Sequence, residues 1–470
     1  MEIPSNNKIF ILLPDGIGLR NFAYSNFYQL GIIKDFDVVF WNNTPFNLKD
    51  LGFDEIKIQN AKTHPTTDIY KNARKQIELN LNINNTRDRV YDTYRFPFPY
   101  HTIKSCIKSS WTNWLTFTNS SPRGLKNIRA KIEQQERKTF FYHQCLQTLQ
   151  EHNPALVFCT NQRPSLAIAP ILAAKDLKIP TATFIFSWDN LPKATMVVET
   201  DYYFVWSNHM KKELLAYYPY IEEAAVFVTG TPQFEAHFNT LKILSREDFC
   251  KQHHLDPAKQ YICFSGDDIT TSPYDPVYLE DLAKAVSSLN DNGANLGILF
   301  RRCPVDFSNR YNTVLEHYSN CITPIVPLWE SVGEEWNAIL PTAADIDLQI
   351  NTIAHTEFVI NLGSSMVFDY VAFGKPCMYV NYDPEISERK DYIKMIYNYV
   401  HFRSMPSKEA VVWLNNPDEI KAKIVQALQK EQAANTIQNA QLWFDKIVAQ
   451  PADQASERIW NAIQNIVSKT

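Results

Sequence analysis

Two adjacent serines and an aspartate, Ser364, Ser365 and Asp369, follow the apolar run "FVINLG" and open what reads as a short helix. Free N–H groups at a helix start, with the positive end of its dipole, attract anions, and serine hydroxyls add donors at phosphate distance. A serine there also caps helices, and both readings stand. Asp369, on the inner face of that helix among apolar neighbours, either accepts hydrogen bonds from ribose or sugar hydroxyls or is an exposed helix residue. "ILFRRCP" puts Arg301 and Arg302 at the end of another apolar run, where a guanidinium clamps a diphosphate bidentately or pairs with a nearby carboxylate. "CFSGDDITTS" offers Gly266, Asp267 and Asp268: the glycine admits a ligand close to the backbone, and the carboxylates either face a ligand or cap the next helix. An Asp-Asp pair raises a metal, but no third ligand has a recognisable spacing, so a metal-independent site without a resident cofactor is expected.

The amino-terminal half has two such loops. "LPDGIGLRN" presents Asp15, Gly16, Gly18 and Arg20 after the first apolar run, without the third glycine of a dinucleotide fingerprint. "FSWDN" presents Trp188, Asp189 and Asn190. An aspartate from either loop, Asp15 or Asp189, can deprotonate an acceptor hydroxyl as general base, while an ordinary turn at Asp189 and Asn190 fits as well.

All five loops need elements that deliver them to the edge of a sheet. "KIFILLP" and "FDVVFWNN" are continuous apolar runs of the kind shown by strands buried on both faces. Between them lie a glycine turn and a helical pattern carrying Phe22, Phe27 and Leu30 and closed by Gly31, which completes a βαβ unit. Residues 60–145 break the rhythm with helix-like, polar and aromatic segments, which reads as a helical insert. The rhythm resumes with "ALVFCTN", "TATFIFSWDN", "DYYFVWSN" and "AAVFVTG", then restarts at "SREDFCKQHHLDPAKQYICFSGDD". The expected fold class is α/β with two doubly wound domains, 1–235 and 236–445, followed by an amphipathic helix in 446–470 that carries Ile459, Ile463 and Ile466. Ligands of such sheets bind at the carboxyl ends of the strands, where the five loops fall.

Bulk properties agree with a folded protein and exclude other classes. The chain has 470 residues, 45% hydrophobic and 21% charged, too long for one ordinary core. A net charge of -5 gives no footprint for a nucleic-acid backbone. Eight cysteines without a CxxC pair read as buried thiols of a reducing compartment. No apolar stretch approaches the ~20 residues a bilayer needs and no basic leader precedes "KIFILL", so a cytoplasmic location is expected. The 13% aromatic content leaves peripheral contact with the inner face of a membrane open.

In organisation the chain resembles the GT-B glycosyltransferases. The segment "EFVINLGSSMVFDYVAFGKPCMYV" is similar to their donor-site segment, particularly to the Ser-Ser…Asp pattern of the CDP-glycerol glycerophosphotransferase-like members and, more loosely, to the UDP-N-acetylglucosamine 2-epimerase fold. "VWSNHMKKELLAYYP" and "VFVTGTPQFE" resemble the stretch by which such proteins leave their first domain. The resemblance implies two facing Rossmann-like domains with a cleft between them and a nucleotide sugar as co-substrate. It also implies a glycan or lipid-linked acceptor in surface polysaccharide or glycoconjugate synthesis. By position Ser364 and Ser365 would hold the donor diphosphate, Asp369 the ribose or sugar, and Arg301 the phosphate. Two departures stand out: "FRRCP" lacks the histidine of the Arg-Pro-His-Pro pattern, and the first-domain loops give no catalytic match. An epimerase of the same fold and a non-catalytic nucleotide-sugar-binding protein are the alternatives.

Overall fold

A computed structural model describes residues 6–331, 339–388 and 391–469; residues 1–5, which the reading of the amino terminus includes, lie outside them. The chain forms two compact units, Met1–Pro232 with Gln454–Thr470, and Gln233–Asp453.

In the first unit seven strands are laid down in the order expected of βα repeats: β1 (Lys8–Leu13), β2 (Asp37–Asn42), β3 (Glu55–Lys57), β4 (Leu156–Cys159), β5 (Thr181–Phe184), β6 (Tyr202–Val205) and β7 (Val226–Val228). They pair in parallel in the order β3-β2-β1-β4-β5-β6-β7. Ile9 to Leu13 are fully buried, which is why β1 reads as an unbroken apolar run. The order reverses between β1 and β4, the point where such sheets open a crevice at their carboxyl ends. The helices Thr67–Thr86, Ile103–Thr118, Pro122–Glu136 and Phe140–His152 lie between β3 and β4 and form the insert.

The second unit has β8 (Gln260–Ser265), β9 (Leu296–Arg301) and β10 (Ile322–Pro324), then a small antiparallel ribbon of β11 (Glu330–Ser331) and β12 (Ile339–Leu340), then β13 (Val359–Asn361), β14 (Cys377–Val380) and β15 (Val412–Leu414). Its parallel sheet runs β10-β9-β8-β13-β14-β15, with the reversal between β8 and β13. Two doubly wound α/β units are thus present.

Two local readings are corrected. The helical pattern after β1 is two helices, Gly18–Phe22 and Phe27–Ile33, and Gly31 lies inside the second rather than ending it. The break follows from Ser25, whose hydroxyl donates to the Asn21 carbonyl at 2.5 Å and accepts from the Phe27 N–H at 3.1 Å, offering the backbone an alternative to the helix. Gly31 is a packing notch, since a Cβ there would lie 2.3 Å from Trp460 Cζ2. Trp460 belongs to the carboxyl-terminal helix Ala455–Val467, which packs into the first unit. Its indole stacks between Phe27 (4.8 Å) and Phe36 (5.0 Å) and donates to the Phe27 carbonyl at 2.7 Å.

Candidate functional site

At the reversal point of the second sheet, the chain leaves β13 through Gly363, whose φ of +63° is a left-handed conformation natural to glycine. The Ser364 N–H donates to Asn361 Oδ1 at 2.9 Å, and the Tyr379 hydroxyl donates to the Ser364 carbonyl at 2.7 Å, so the turn is pinned by the adjacent strands β13 and β14. Ser365 starts the helix Met366–Val371 but its side chain makes no capping bond. The Ser364 hydroxyl receives only a long 3.4 Å contact from the Met366 N–H. Asp369 is buried one turn on, where its Oδ1 meets His237 Nε2 at 2.8 Å and Gln349 Nε2 at 3.4 Å. After Gly374, Lys375 donates to the carbonyls of Ile353 (2.8 Å), Ala354 (2.8 Å) and Thr356 (2.5 Å), closing the end of the helix Ala343–Ala354, and burial pushes its pKa down to about 8.

Beside this turn, at the carboxyl ends of β14 and β15, is an open pocket of about 570 Å³. Lys394, Arg403 and Lys408 line it together with Tyr397, Phe402 and Trp413. Two of these rings border Gly363: a Cβ built there would lie 3.0 Å from Phe402 Cζ and 3.4 Å from Tyr397 Cε1. Cations and aromatic faces around one cavity suit a ligand with an anionic part and a flat part.

The loops after β8 and β9 are committed to one another. The space over Gly266 holds the Tyr311 hydroxyl, 2.7 Å from where a Cβ would stand, so this glycine accommodates a tyrosine and the expected close approach of a ligand is not what its missing side chain provides. Asp267 is pushed up to about 7 by burial and by the Asp275 charge, and burial raises Asp275 to about 6. Arg310 answers both, donating to the Asp267 carbonyl at 2.7 Å and lying 3.7 Å from the Asp275 carboxylate. Asp268 closes its own turn through the N–H and hydroxyl groups of Thr270 and Thr271. Arg301 is buried, and its Nη2 meets both Asp345 oxygens at 2.8 and 2.9 Å; that carboxylate also accepts from the Trp329 indole at 2.7 Å. Of the two roles open to Arg301, the structure shows the carboxylate pair. Arg302 donates to the Ser308 carbonyl at 2.7 Å and lies over the Tyr311 ring. Among the described residues no group of three His, Cys, Asp or Glu is arranged to hold a metal.

The first unit gathers polar groups at its own reversal point. Asp15, just after β1, is 6% exposed; it accepts from the Ile17 N–H at 3.3 Å and from Asn161 Nδ2, after β4, at 2.9 Å. Burial raises Asp15 to about 6, against the opposing pull of the Arg163 charge. Gly16 accepts the Leu19 N–H at 3.2 Å, and Gly18 lets the helix approach β4, since a Cβ there would sit 2.5 Å from Thr160 Oγ1. Arg20 is half-buried in the same short helix. Beyond β5, Gln162 donates to Asn190 Oδ1 at 3.1 Å, tying that loop to the one after β4, and Trp188 is buried. Asp189 accepts from Ser187 Oγ at 2.6 Å and pairs with Lys193, within a turn closed by the Asn190 N–H on the Ser187 carbonyl at 3.2 Å.

Asp15 and the 188–190 loop are thus joined through Asn161 and Gln162, while Gly363, which precedes Ser364 and Ser365, borders the Phe402 and Tyr397 rings of the Lys394–Arg403–Lys408 pocket. Arg301 and Arg302 are held by Asp345 and the Ser308 carbonyl, with Arg301 Nη1 and Arg302 Nε buried without a hydrogen-bond partner among the described residues. Sequence reasoning passed over Asn161, Gln162 and His237. "TNQ" directly after a buried strand was a readable signal for the first two, because three polar side chains there must be satisfied by neighbours.

No protein-family model matches the sequence, and no curated protein matches it. Solved structures match along its length. A UDP co-structure of MnaA from S. aureus is 13% identical over 99% of this chain and 98% of that chain, with a TM-score of 0.53. A putative UDP-N-acetylglucosamine 2-epimerase from Listeria monocytogenes is 12% identical over 99% and 98%, with a TM-score of 0.56. A glycosyltransferase from Rickettsia africae is 11% identical over 99% and 100%, with a TM-score of 0.53. Likeness at these identities establishes the fold: the chain has the GT-B fold, built of two Rossmann-like units.

Proposed function

We propose that this chain is an enzyme of nucleotide-activated sugars and, more specifically, a glycosyltransferase that delivers a sugar to a hydroxyl of a glycan or lipid-linked acceptor. The observation that carries this reading is the Gly363-Ser364-Ser365 turn at the sheet reversal, bordering a pocket lined by three cations and three aromatic rings. An aromatic wall takes a nucleobase, and Lys394, Arg403 and Lys408 offset the charge of a diphosphate, with the Ser364 and Ser365 hydroxyls as further donors. Asp369, oriented by His237, is assigned to ribose or sugar hydroxyls. In the first unit Asp15 is the better general base of the two aspartates: its carboxyl is poised at about 6 and has no salt bridge among the described residues, whereas Asp189 is paired with Lys193. No metal ion or resident cofactor is assigned.

An epimerase is the second reading, because the same fold includes a putative UDP-N-acetylglucosamine 2-epimerase. Product analysis separates the two. Incubation with UDP-, CDP- and GDP-sugars, with and without glycan or lipid-linked acceptors, should release nucleotide only in the presence of an acceptor. Conversion of a free nucleotide sugar to its epimer without any acceptor would replace the transferase reading, and turnover fully retained in Asp15→Asn would remove Asp15 as the base.

A further inference from the structure

The helix Ile103–Thr118 in the insert turns most of its large apolar side chains to solvent. Its protein-facing side carries Ser109, Thr112 and Leu115, which are 3%, 2% and 7% exposed, with Ser105 and Thr116 beside them, so Leu115 is its one large apolar side chain buried in the core. Those hydroxyls are satisfied locally, Ser109 donating to the Pro99 carbonyl at 2.8 Å and Thr112 to the Lys108 carbonyl at 2.9 Å. The opposite side, at helical spacing, presents Ile103 (83% exposed), Ile107 (61%), Trp114 (61%) and Phe117 (86%) to solvent, with Trp111 at the margin. A single exposed apolar residue is ordinary, but a continuous stripe along a whole helix costs free energy in water and marks a contact surface.

The surrounding charge identifies the occupant. Between Asp92 and Glu133 the sequence contains no acidic residue, although the chain as a whole has a net charge of -5. Lys104, Arg123, Lys126 and Lys131 in that stretch are exposed. Trp, Ile and Phe on one face of a helix, within a stretch whose only charged side chains are cations, are the composition of a segment that lies in the plane of a bilayer surface, apolar face among the acyl chains and cations among anionic headgroups. No helix among the described residues is long and apolar enough to cross a membrane, so contact of this kind would be from one side.

We propose that this face of the insert docks the protein on an anionic lipid bilayer. The assignment is independent of the nucleotide-sugar reading, since it uses none of the residues of that site. The test is co-sedimentation of the full chain with vesicles of phosphatidylglycerol and phosphatidylcholine in equal parts, against vesicles of phosphatidylcholine alone. Binding to the anionic vesicles should be about tenfold or more stronger, as expected from two or three lysines near the surface, and should weaken with salt. Trp114→Ser with Phe117→Ser should lose about tenfold or more of that binding with an unchanged melting temperature, because both side chains are exposed. Lys104→Gln with Lys126→Gln, which leaves the stripe intact, should weaken binding to anionic vesicles only. Equal binding to both vesicle types, or full binding by the Trp114/Phe117 variant, overturns the proposal. So does a wild-type dimer in light scattering that the same variant dissociates, which would assign the face to a second copy of the chain.

Discussion

Replacing Asp15 with asparagine should make the protein more stable at neutral pH while impairing its chemistry. The rise from the ordinary carboxyl value of 3.8 to about 6 corresponds to about 3 kcal/mol, at about 1.36 kcal/mol per unit. The folded state holds this proton more tightly than the unfolded chain does. The resulting stabilisation is therefore fully present in acid, below about pH 4, and is lost as pH rises through about 6. At about pH 8 the wild type keeps a buried charge that Asp15→Asn does not have. The amide offers one oxygen where the carboxylate accepts from both Ile17 and Asn161, so one hydrogen bond is lost, at about 1 kcal/mol. The variant should then be about 2 kcal/mol more stable at about pH 8 and equal or slightly less stable at about pH 4, with the two stability curves crossing between them. Urea unfolding followed by tryptophan fluorescence reads this directly in the first unit, where Trp41, Trp206 and Trp460 are buried. A variant less stable than wild type at about pH 8, or one whose difference from wild type does not vary with pH, would refute the reasoning.

Gly31→Ala should cost about 1–3 kcal/mol by overpacking, since the added methyl would lie 2.3 Å from the Trp460 ring and 2.7 Å from Val38 Cγ2; a changed Trp fluorescence spectrum and a lower urea midpoint are expected, and an unchanged midpoint would contradict the notch. Lys375→Met should lower stability by about 2 kcal/mol or more by leaving the Ile353, Ala354 and Thr356 carbonyls without their shared donor, with amide exchange accelerating first at the end of the helix Ala343–Ala354.

Parallel strands announce themselves because both faces are buried, so β1, β2, β8 and β9 stand out as apolar runs, and with them the loops that carry Asp15 and the Asp267–Asp268 pair. What a loop does with its polar atoms depends on partners far along the chain, and those were illegible. Asp345 captures Arg301 from 44 positions away, and His237 reaches Asp369 across 132. Gly31 looks like a helix stop because that is what glycine does locally; the ring that requires it comes from Trp460, at the other end of the chain. The helix 103–118 shows its periodicity plainly, but the habit of placing the apolar side inward points the wrong way. Only burial reveals that Ser109 and Thr112, with Leu115, face the protein. Tyr397, Phe402 and Trp413 come from different segments of the second unit, and their meeting beside Gly363 follows from the sheet order, with β14 and β15 on one side of the reversal.

The central claim, that the second unit holds a nucleotide diphosphate beside the Gly363-Ser364-Ser365 turn, is tested most directly by calorimetric titration of the full chain with UDP, GDP, CDP and dTDP. Binding of at least one of them is expected, weakened about tenfold or more in Lys394→Ala with Arg403→Ala, which removes two of the cations that line the pocket, and weakened also in Ser364→Ala with Ser365→Ala. Binding of none of the four, or an affinity unchanged in both variants, would contradict it.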